Sequence, residues 1–508
     1  MIKPAYARSG AALIQQMLGK RMQYDDLSRF MDKTAPGKRD AVIFRSVDGV
    51  QHHTYEALDQ WIDAVAVDLA ARAEKGARIG VLAENSPAHF VACMGAIRAG
   101  RIAVPINYKL KADGVAHICD DAGVQLVIRD KRNAPLVPEK YTQISIETIE
   151  DLLGSDQAPR TPYYPAKDDV ALLMYTSGST GAPKGVPITH YGYRWALDRF
   201  SFFRESIEGT AVLIAAPLFH MNAQFHIMSV LAVGGTAVLF DQFRAQDYLQ
   251  ALTDFSVTRL TGVPTMFELI LRALESGFET DTSKVQSIAM GSAPVTDALF
   301  ARLQYWFPNA LITNGYGTTE IGPATFGPHP EGLPAPTGAV GYPMSGVSMK
   351  LIGGDSVGEG VLHVRSPMTA HAYLNRPEAT AEKFKDGWCD TGDIMRRDAD
   401  GFYYFIGRAD DMFVCGGENI YPGEVEQLIS RHKDIREAAV VPIEDPVKGA
   451  VPVAFVVPRT PLSADVIKQY CIDNGPVYAH PRFVQFKKEL PLSGVKKVDR
   501  QKLIVEAR

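Results

Sequence analysis

Short apolar runs alternate with amphipathic stretches along most of this chain. Ile79-Gly-Val-Leu-Ala83, Ile102-Ala-Val-Pro105 and Val124-Gln-Leu-Val-Ile128 read as strands, and Ala88–Gly100 reads as a helix closed by a glycine. Further strands are expected at Val170–Tyr175, Val212–Ala215, Ala237–Phe240, Ser287–Met290 and Leu311–Thr313. Runs this short and this apolar suit strands buried on both faces, so the fold class is α/β with mostly parallel sheets covered by helices. Such sheets place ligands at the carboxyl ends of their strands.

The pattern changes further along. Residues 338–407 are rich in Gly and turn residues and predict a smaller β-rich subregion. Beyond Asp411 an α+β pattern follows: Val425, Leu428 and Ile429 share one helical face, Val453–Val457 is a strand, and Ser463 caps a helix whose Val466, Ile467, Tyr470 and Cys471 face inward. A large N-terminal domain over 1–408, a hinge at 409–411 and a small mobile C-terminal domain over 412–508 are expected.

The 508 residues are too many for a single core. A net charge of −5 leaves no basic footprint for nucleic acid. The five cysteines are scattered and form no CxxC pair, which argues against a disulfide framework or a zinc site and fits a reducing, cytoplasmic setting. The most apolar long window, Ala211–Phe240, is broken by Pro217, His220, Asn222, Gly234 and Gly235, so no membrane span is expected. A homodimer is one oligomeric option that the sequence leaves open.

The chemistry concentrates in loops after these strands. Tyr175-Thr-Ser-Gly-Ser-Thr-Gly-Ala-Pro-Lys-Gly185 follows an apolar run. Its glycines let backbone approach an anion, Thr176, Ser177, Ser179, Thr180 and the free amides of Gly178 and Gly181 donate to phosphate oxygens, and Lys184 adds charge. Lys184 lies between Pro183 and Gly185, so the Gly-Lys-Ser/Thr of a Walker loop, and with it a phosphotransferase, is disfavoured. Asn314-Gly-Tyr-Gly-Thr-Thr-Glu320 offers a flat ring and a hard oxygen ligand, and Mg²⁺ is held by one or two carboxylates together with substrate phosphates. Asp393 stands in a Thr-Gly-Asp turn, where a carboxylate can accept both hydroxyls of a diol.

The order of these segments resembles the adenylate-forming (AMP-binding) superfamily, in its acyl- and aryl-CoA synthetase branch, from about Arg78 to Arg500. The resemblance implies ATP, Mg²⁺ and coenzyme A as cofactors and a carboxylic acid as substrate. It implies that Tyr316 packs on adenine within the nucleotide segment Asn314, Gly317, Thr318 and Thr319, that Thr319 contacts phosphate, and that Glu320 binds magnesium. Gly291-Ser292-Ala293-Pro294 is similar to the segment lining adenine and the acyl pocket. Asp393 is implied as the ribose ligand, Arg408 as a nucleotide contact and Asp410 as the pivot. Gly416 and Gly417 match the loop that admits pantetheine, Lys497 takes the place of the catalytic lysine, and Cys415 reads as a packing residue. Lys496, where many relatives carry glycine, leaves open which lysine points inward. His220 reads as a gate to the acyl pocket, whose walls are drawn from Asn222, Gly291, Gly315 and Gly317. Glycines without Arg or Lys among them point to an uncharged aromatic or medium-chain acid. Two other readings stand beside the acid–CoA ligase: an enzyme loading a carrier-protein pantetheine, and a non-catalytic acyl or nucleotide sensor, which the presence of Lys497, Glu320, Asp393 and Arg408 disfavours.

Overall fold

The structure, a computed structural model, describes residues 26–31, 37–155, 163–176, 183–200, 210–291, 295–353, 358–415, 418–475, 480–492 and 498–507. Four sheets organise them. In the first, the strands run in the order Leu311–Gly315, Ser287–Gly291, Val257–Gly262, Ala211–Ile214, Thr236–Phe240, Asp40–Ser46 and Gly49–Thr54. All neighbours pair in parallel except the terminal hairpin of Asp40–Ser46 with Gly49–Thr54.

The second sheet orders Thr142–Ser145, Val124–Arg129, Arg78–Leu82, Ile102–Pro105, Val170–Thr176 and Lys184–Thr189. It too is parallel until its last pair, where Val170–Thr176 meets Lys184–Thr189 antiparallel. The fully buried helix Pro87–Arg98, capped by the Ser86 hydroxyl and opened by proline, packs in the core between these sheets. Its Gly95 lets the helix Tyr55–Arg72 approach, because a Cβ there would stand 2.5 Å from Val65 Cγ1.

The third sheet is antiparallel along its main path and spans Phe326 to Arg408, as the turn-rich composition of 338–407 anticipates. The chain leaves it at Tyr403–Arg408, makes the single 3₁₀ turn Ala409–Asp411, and enters the fourth sheet at Phe413–Cys415. That sheet pairs Gly449–Pro458 with Ile435–Asp445 and with Phe483–Phe486.

Several boundaries differ from the expected ones. Lys184 lies at the start of a strand rather than within the loop, registered against Thr176. Leu311–Gly315 carries Asn314 and Gly315 into the strand, where hydrogen bonding to Ser287–Gly291 overrides the turn preference of Asn-Gly. Ser463 caps its helix and Ile467 and Cys471 are buried, but Val466 is 43% exposed because at 100° per residue it falls off the inward face. All five cysteines are buried and unpaired. Burial pushes the thiols of Cys93, Cys119 and Cys389 up to about 12, far from the thiolate a nucleophile needs. Among the described residues no helix is long and apolar enough to cross a membrane.

Candidate active site

Three strand ends and one turn gather the expected nucleotide residues. Adjacent pairing of Ser287–Gly291 with Leu311–Gly315 sets Gly291 opposite Gly315. The two backbones are so close that a Cβ on Gly291 would lie 2.8 Å from the Gly315 carbonyl oxygen. A Cβ on Gly317 would lie 2.5 Å from the Gly322 oxygen. At both positions the missing side chain therefore makes room for protein backbone, and neither glycine by itself opens a pocket.

Beyond Gly315 the chain turns. Tyr316 sets its ring edge-on to Phe326 and tilted to Phe405, and it donates its phenol proton to Asp393 Oδ2. Asp393 lies on Trp388–Arg397, in register with Arg408 on the neighbouring strand. Arg408 Nη1 stands 3.1 Å from Asp393 Oδ1, an ion pair whose angles fall outside hydrogen-bond geometry, so Oδ1 has no hydrogen-bond partner among the described residues. Asp393 is only 3% exposed. Its burial raises the carboxyl above the ordinary range, and the Tyr316 phenol and Arg408 offset this only in part. Burial, then the Asp393 charge, push the Tyr316 phenol well up, so it stays a donor. Thr318 Oγ1 is also buried without a hydrogen-bond partner among the described residues.

A carboxylate oxygen and a hydroxyl left short of partners beside an aromatic ring fit the demands of a nucleoside: two ribose hydroxyls to accept from and a base to stack. Arg408 Nη2 also donates to Asp410 Oδ2 at 3.2 Å, which ties the turn Ala409–Asp411 to the same cluster.

The phosphate end is built differently. Glu320 is half-buried, and its Oε1 accepts from the Tyr373 phenol at 2.8 Å. Lys184 Nζ lies 5.3 Å from the centre of that same ring. Thr176 and Lys184 close the stems of the phosphate loop as a registered pair. Among the described residues no three His, Cys, Asp or Glu side chains gather to hold a metal alone. A single carboxylate, Glu320, fits the Mg²⁺ mode in which substrate oxygens complete the shell. Thr319, half-buried, precedes Glu320 directly.

His220 begins the helix Met221–Ala232 and packs on Phe219, with ring centres 4.3 Å apart. The segment before that helix is fastened by buried Asn85, which donates to the Ala216 and Phe240 carbonyls and accepts from the Leu218 amide at 2.8 Å. Asn222 is half-buried on the first turn, and its backbone carbonyl accepts from His226 Nδ1 at 2.8 Å. Ser177, Gly178, Ser179, Thr180, Gly181, Ser292, Ala293, Pro294, Gly416, Gly417, Lys496 and Lys497 lie outside the described residues. The chain flanking residues 493–497 is pinned by the Leu492–Val498 bridge, the Asp499 amide to the Pro491 carbonyl at 2.8 Å, and Arg500 donating to Val440 and Glu426. Cys415 sits in the apolar cluster of the fourth sheet, a packing position.

Sequence reasoning passed over Tyr373 and Lys383. The Lys383 ammonium donates to the Thr391 carbonyl at 2.9 Å, beside Asp393. Neither residue lies in a glycine-rich or turn-bounded motif, so the chain offered no local signal for them.

Residues 31–374 match the model of the AMP-binding enzyme family, and residues 424–497 match that of the AMP-binding enzyme C-terminal domain. A feruloyl-CoA synthase from an Amycolatopsis species is 32% identical over 88% of this chain and 92% of its own length. The long-chain-fatty-acid–CoA ligase FadD13 of Mycobacterium tuberculosis is 30% identical over 84% of this chain and 87% of its own. The o-succinylbenzoate coenzyme A synthetase of Bacillus subtilis, solved with ATP and a magnesium ion, superposes with a TM-score of 0.80 at 27% identity, covering 94% of this chain and 99% of that one. On the match across its length, the chain belongs to the AMP-binding enzyme family, in its acyl- and aryl-CoA synthetase branch.

Proposed function

We propose that this protein is an AMP-forming acid–CoA ligase acting on an uncharged aromatic or medium-chain carboxylic acid. The observation that carries the reading is the convergence of Tyr316, Asp393 and Arg408, from separate parts of the sequence, on one half-compensated buried cluster suited to a nucleoside. The names of the relatives, a feruloyl-CoA synthase and a long-chain-fatty-acid–CoA ligase among them, support the ligase class.

A carboxylate cannot be attacked by a thiol directly, because an oxide would have to leave. One carboxylate oxygen attacks the α-phosphorus of ATP instead; the bond to the β-phosphate oxygen breaks, and pyrophosphate departs. The thiol of coenzyme A, losing its proton to solvent, then attacks the acyl carbon, and AMP leaves. Bound magnesium would neutralise phosphate charge in the first step. In this proposal Glu320 holds that ion, and Thr176, the hydroxyls and amides of residues 177–181 and Lys184 cradle the leaving pyrophosphate. Thr319 meets phosphate, Asp393 accepts the ribose hydroxyls, and Tyr316 faces the base. Lys497 bridges the substrate carboxylate and the α-phosphate. His220 and Asn222 stand at the acyl end, where Phe219 and His220 supply aromatic surface for a planar acid.

The same proposal divides the chain into a large lobe to residue 408, a pivot at Asp410 and a lid from residue 412. Rotation about Asp410 would exchange Lys497 for Gly416 and Gly417. The test is reciprocal. With wild type, a panel of carboxylic acids should release pyrophosphate with magnesium-ATP, and free coenzyme A should release AMP. Lys497→Ala should lose acid-dependent ATP–pyrophosphate exchange while still converting synthetic acyl-adenylate to thioester. Asp410→Pro should do the reverse. Full exchange activity in Lys497→Ala, or equal loss of both steps in Asp410→Pro, would overturn the two assignments.

A further inference from the structure

Tyr373 lies between the two charged groups of the phosphate end, and neither the sequence motifs nor the relatives' names give it a task. Its ring is 7% exposed and belongs to the main core, packed edge-on to Phe384 at 5.3 Å. Its amide is held by Thr380 Oγ1 at 3.0 Å. A side chain anchored in this way delivers its hydroxyl to a fixed point, and at that point it donates to Glu320 Oε1 at 2.8 Å.

The next three residues hold the other wall. Leu374 donates its amide to the Gly185 carbonyl at 2.8 Å, at the stem of the phosphate loop. Asn375, at φ +52°, donates to the Asp121 carbonyl, and Arg376 pairs with Asp121 Oδ1 at 2.9 Å. Asp121 Oδ2 in turn accepts from Tyr175, the residue that leads into the loop, at 2.8 Å. Four consecutive residues thus fix Glu320 at one side and both stems of the phosphate loop at the other.

Resting on the ligase reading, we propose that Tyr373 is a positioning residue that engages Glu320 Oε1 and leaves Oε2 for a divalent cation, with residues 373–376 fixing Glu320 relative to the loop stems at Tyr175 and Gly185. Hydrogen bonds that orient a metal-ligating group are worth about 10–100-fold in metal affinity or activity when removed. Tyr373→Phe keeps the ring and its packing and removes only the donor.

The experiment titrates magnesium chloride at fixed ATP and fixed acid, reading pyrophosphate release by wild type and Tyr373→Phe, with thioester formation from synthetic acyl-adenylate and coenzyme A as the second readout. The expected result is a rise of about tenfold in the half-saturating magnesium concentration, recovery of most of the rate at saturating metal, and an unchanged thioester step. An unchanged magnesium response would overturn the proposal. Parallel loss of both steps with no change in the magnesium midpoint would also overturn it, since that is the signature of general misfolding. Failure of wild type to release pyrophosphate would instead strike the ligase reading.

Discussion

The two ends of this site hold their carboxylates in opposite ways. Asp393 is buried, faces a guanidinium from the neighbouring strand and a phenol from a loop, and still carries a raised pKa. Glu320 is half-buried and accepts a hydrogen bond from a core tyrosine, with Lys184 beyond the ring. The Asp393 cluster is preassembled around a costly buried charge that is short of donors, which two ribose hydroxyls would supply if the proposed reading holds. The Glu320 end is steered but left open, as would suit a cation and phosphate charges that arrive and leave in each proposed cycle. On the proposed reading, rigid recognition of the nucleoside and adjustable handling of the polyphosphate would thereby be separated along the site.

The sharpest way to break this contrast is Asp393→Ala. It removes the proposed acceptor for two hydroxyls, takes the carboxylate from the Tyr316 phenol and leaves Arg408 paired with Asp410 alone among the partners described above. With roughly 1.5–3 kcal/mol for each hydrogen bond to a charged group, kcat/KM for ATP should fall about 10²–10³-fold or more. The CoA-dependent step from bound acyl-adenylate should suffer less, because the nucleotide is then tethered to the acyl group. A fall below tenfold would mean that the buried cluster is structural.

Tyr316→Phe should have a smaller effect, about 3–10-fold in the KM for ATP, since the ring remains for the base and only the neutral donor is lost. It should sharpen the comparison through pH. The ionised Asp393 is the form that would accept hydroxyls, and its carboxyl titrates above the ordinary range, so on the proposed reading nucleotide binding should be complete above that raised value and lost as pH falls through it. The acid limb of kcat/KM for ATP should therefore lie above the usual carboxylate range in wild type. It should move higher still in Tyr316→Phe, because the phenol's hydrogen bond lowers the Asp393 pKa. Asp393→Asn should abolish this limb. An acid limb in the ordinary range in both wild type and Tyr316→Phe would contradict the buried-charge picture.

A further effect concerns stability and leaves the site itself untouched. His89 is fully buried against the Ala83 carbonyl, and burial pushes its pKa down to about 4. The unfolded chain binds that proton near pH 6.5 and the folded chain does not, so the fold should lose stability as pH drops from about 6.5 towards 4. Thermal melts across this range should show the decline, and His89→Gln should flatten part of it.

These relationships also mark what the chain reveals of itself. The strands carrying the motifs were legible because Val170–Thr176, Ala211–Ile214 and Ser287–Gly291 are continuous apolar runs closed by turn residues. Lys184–Thr189 was not, since Gly185 and Pro187 hide a strand whose pairing is decided by its neighbour. Val466 was misplaced because one apolar residue flanking a helical face looks the same in sequence as one within it. Motif residues such as Tyr316, Glu320 and Asp393 were individually visible, but the Tyr316–Asp393 bond spans 77 residues and the Tyr373–Glu320 bond spans 53. Contacts of that separation are products of sheet packing and leave no mark on local composition.

The most direct measurement follows an oxygen atom. Wild type would be supplied with an acid substrate labelled with ¹⁸O in both carboxylate oxygens, together with unlabelled magnesium-ATP and coenzyme A, and the products would be weighed by mass spectrometry. Attack of the carboxylate on the α-phosphorus leaves one labelled oxygen in AMP, one in the thioester carbonyl, and none in pyrophosphate. Label recovered in inorganic phosphate with ADP as the partner product, or AMP free of label, would show that the acid is activated by another route.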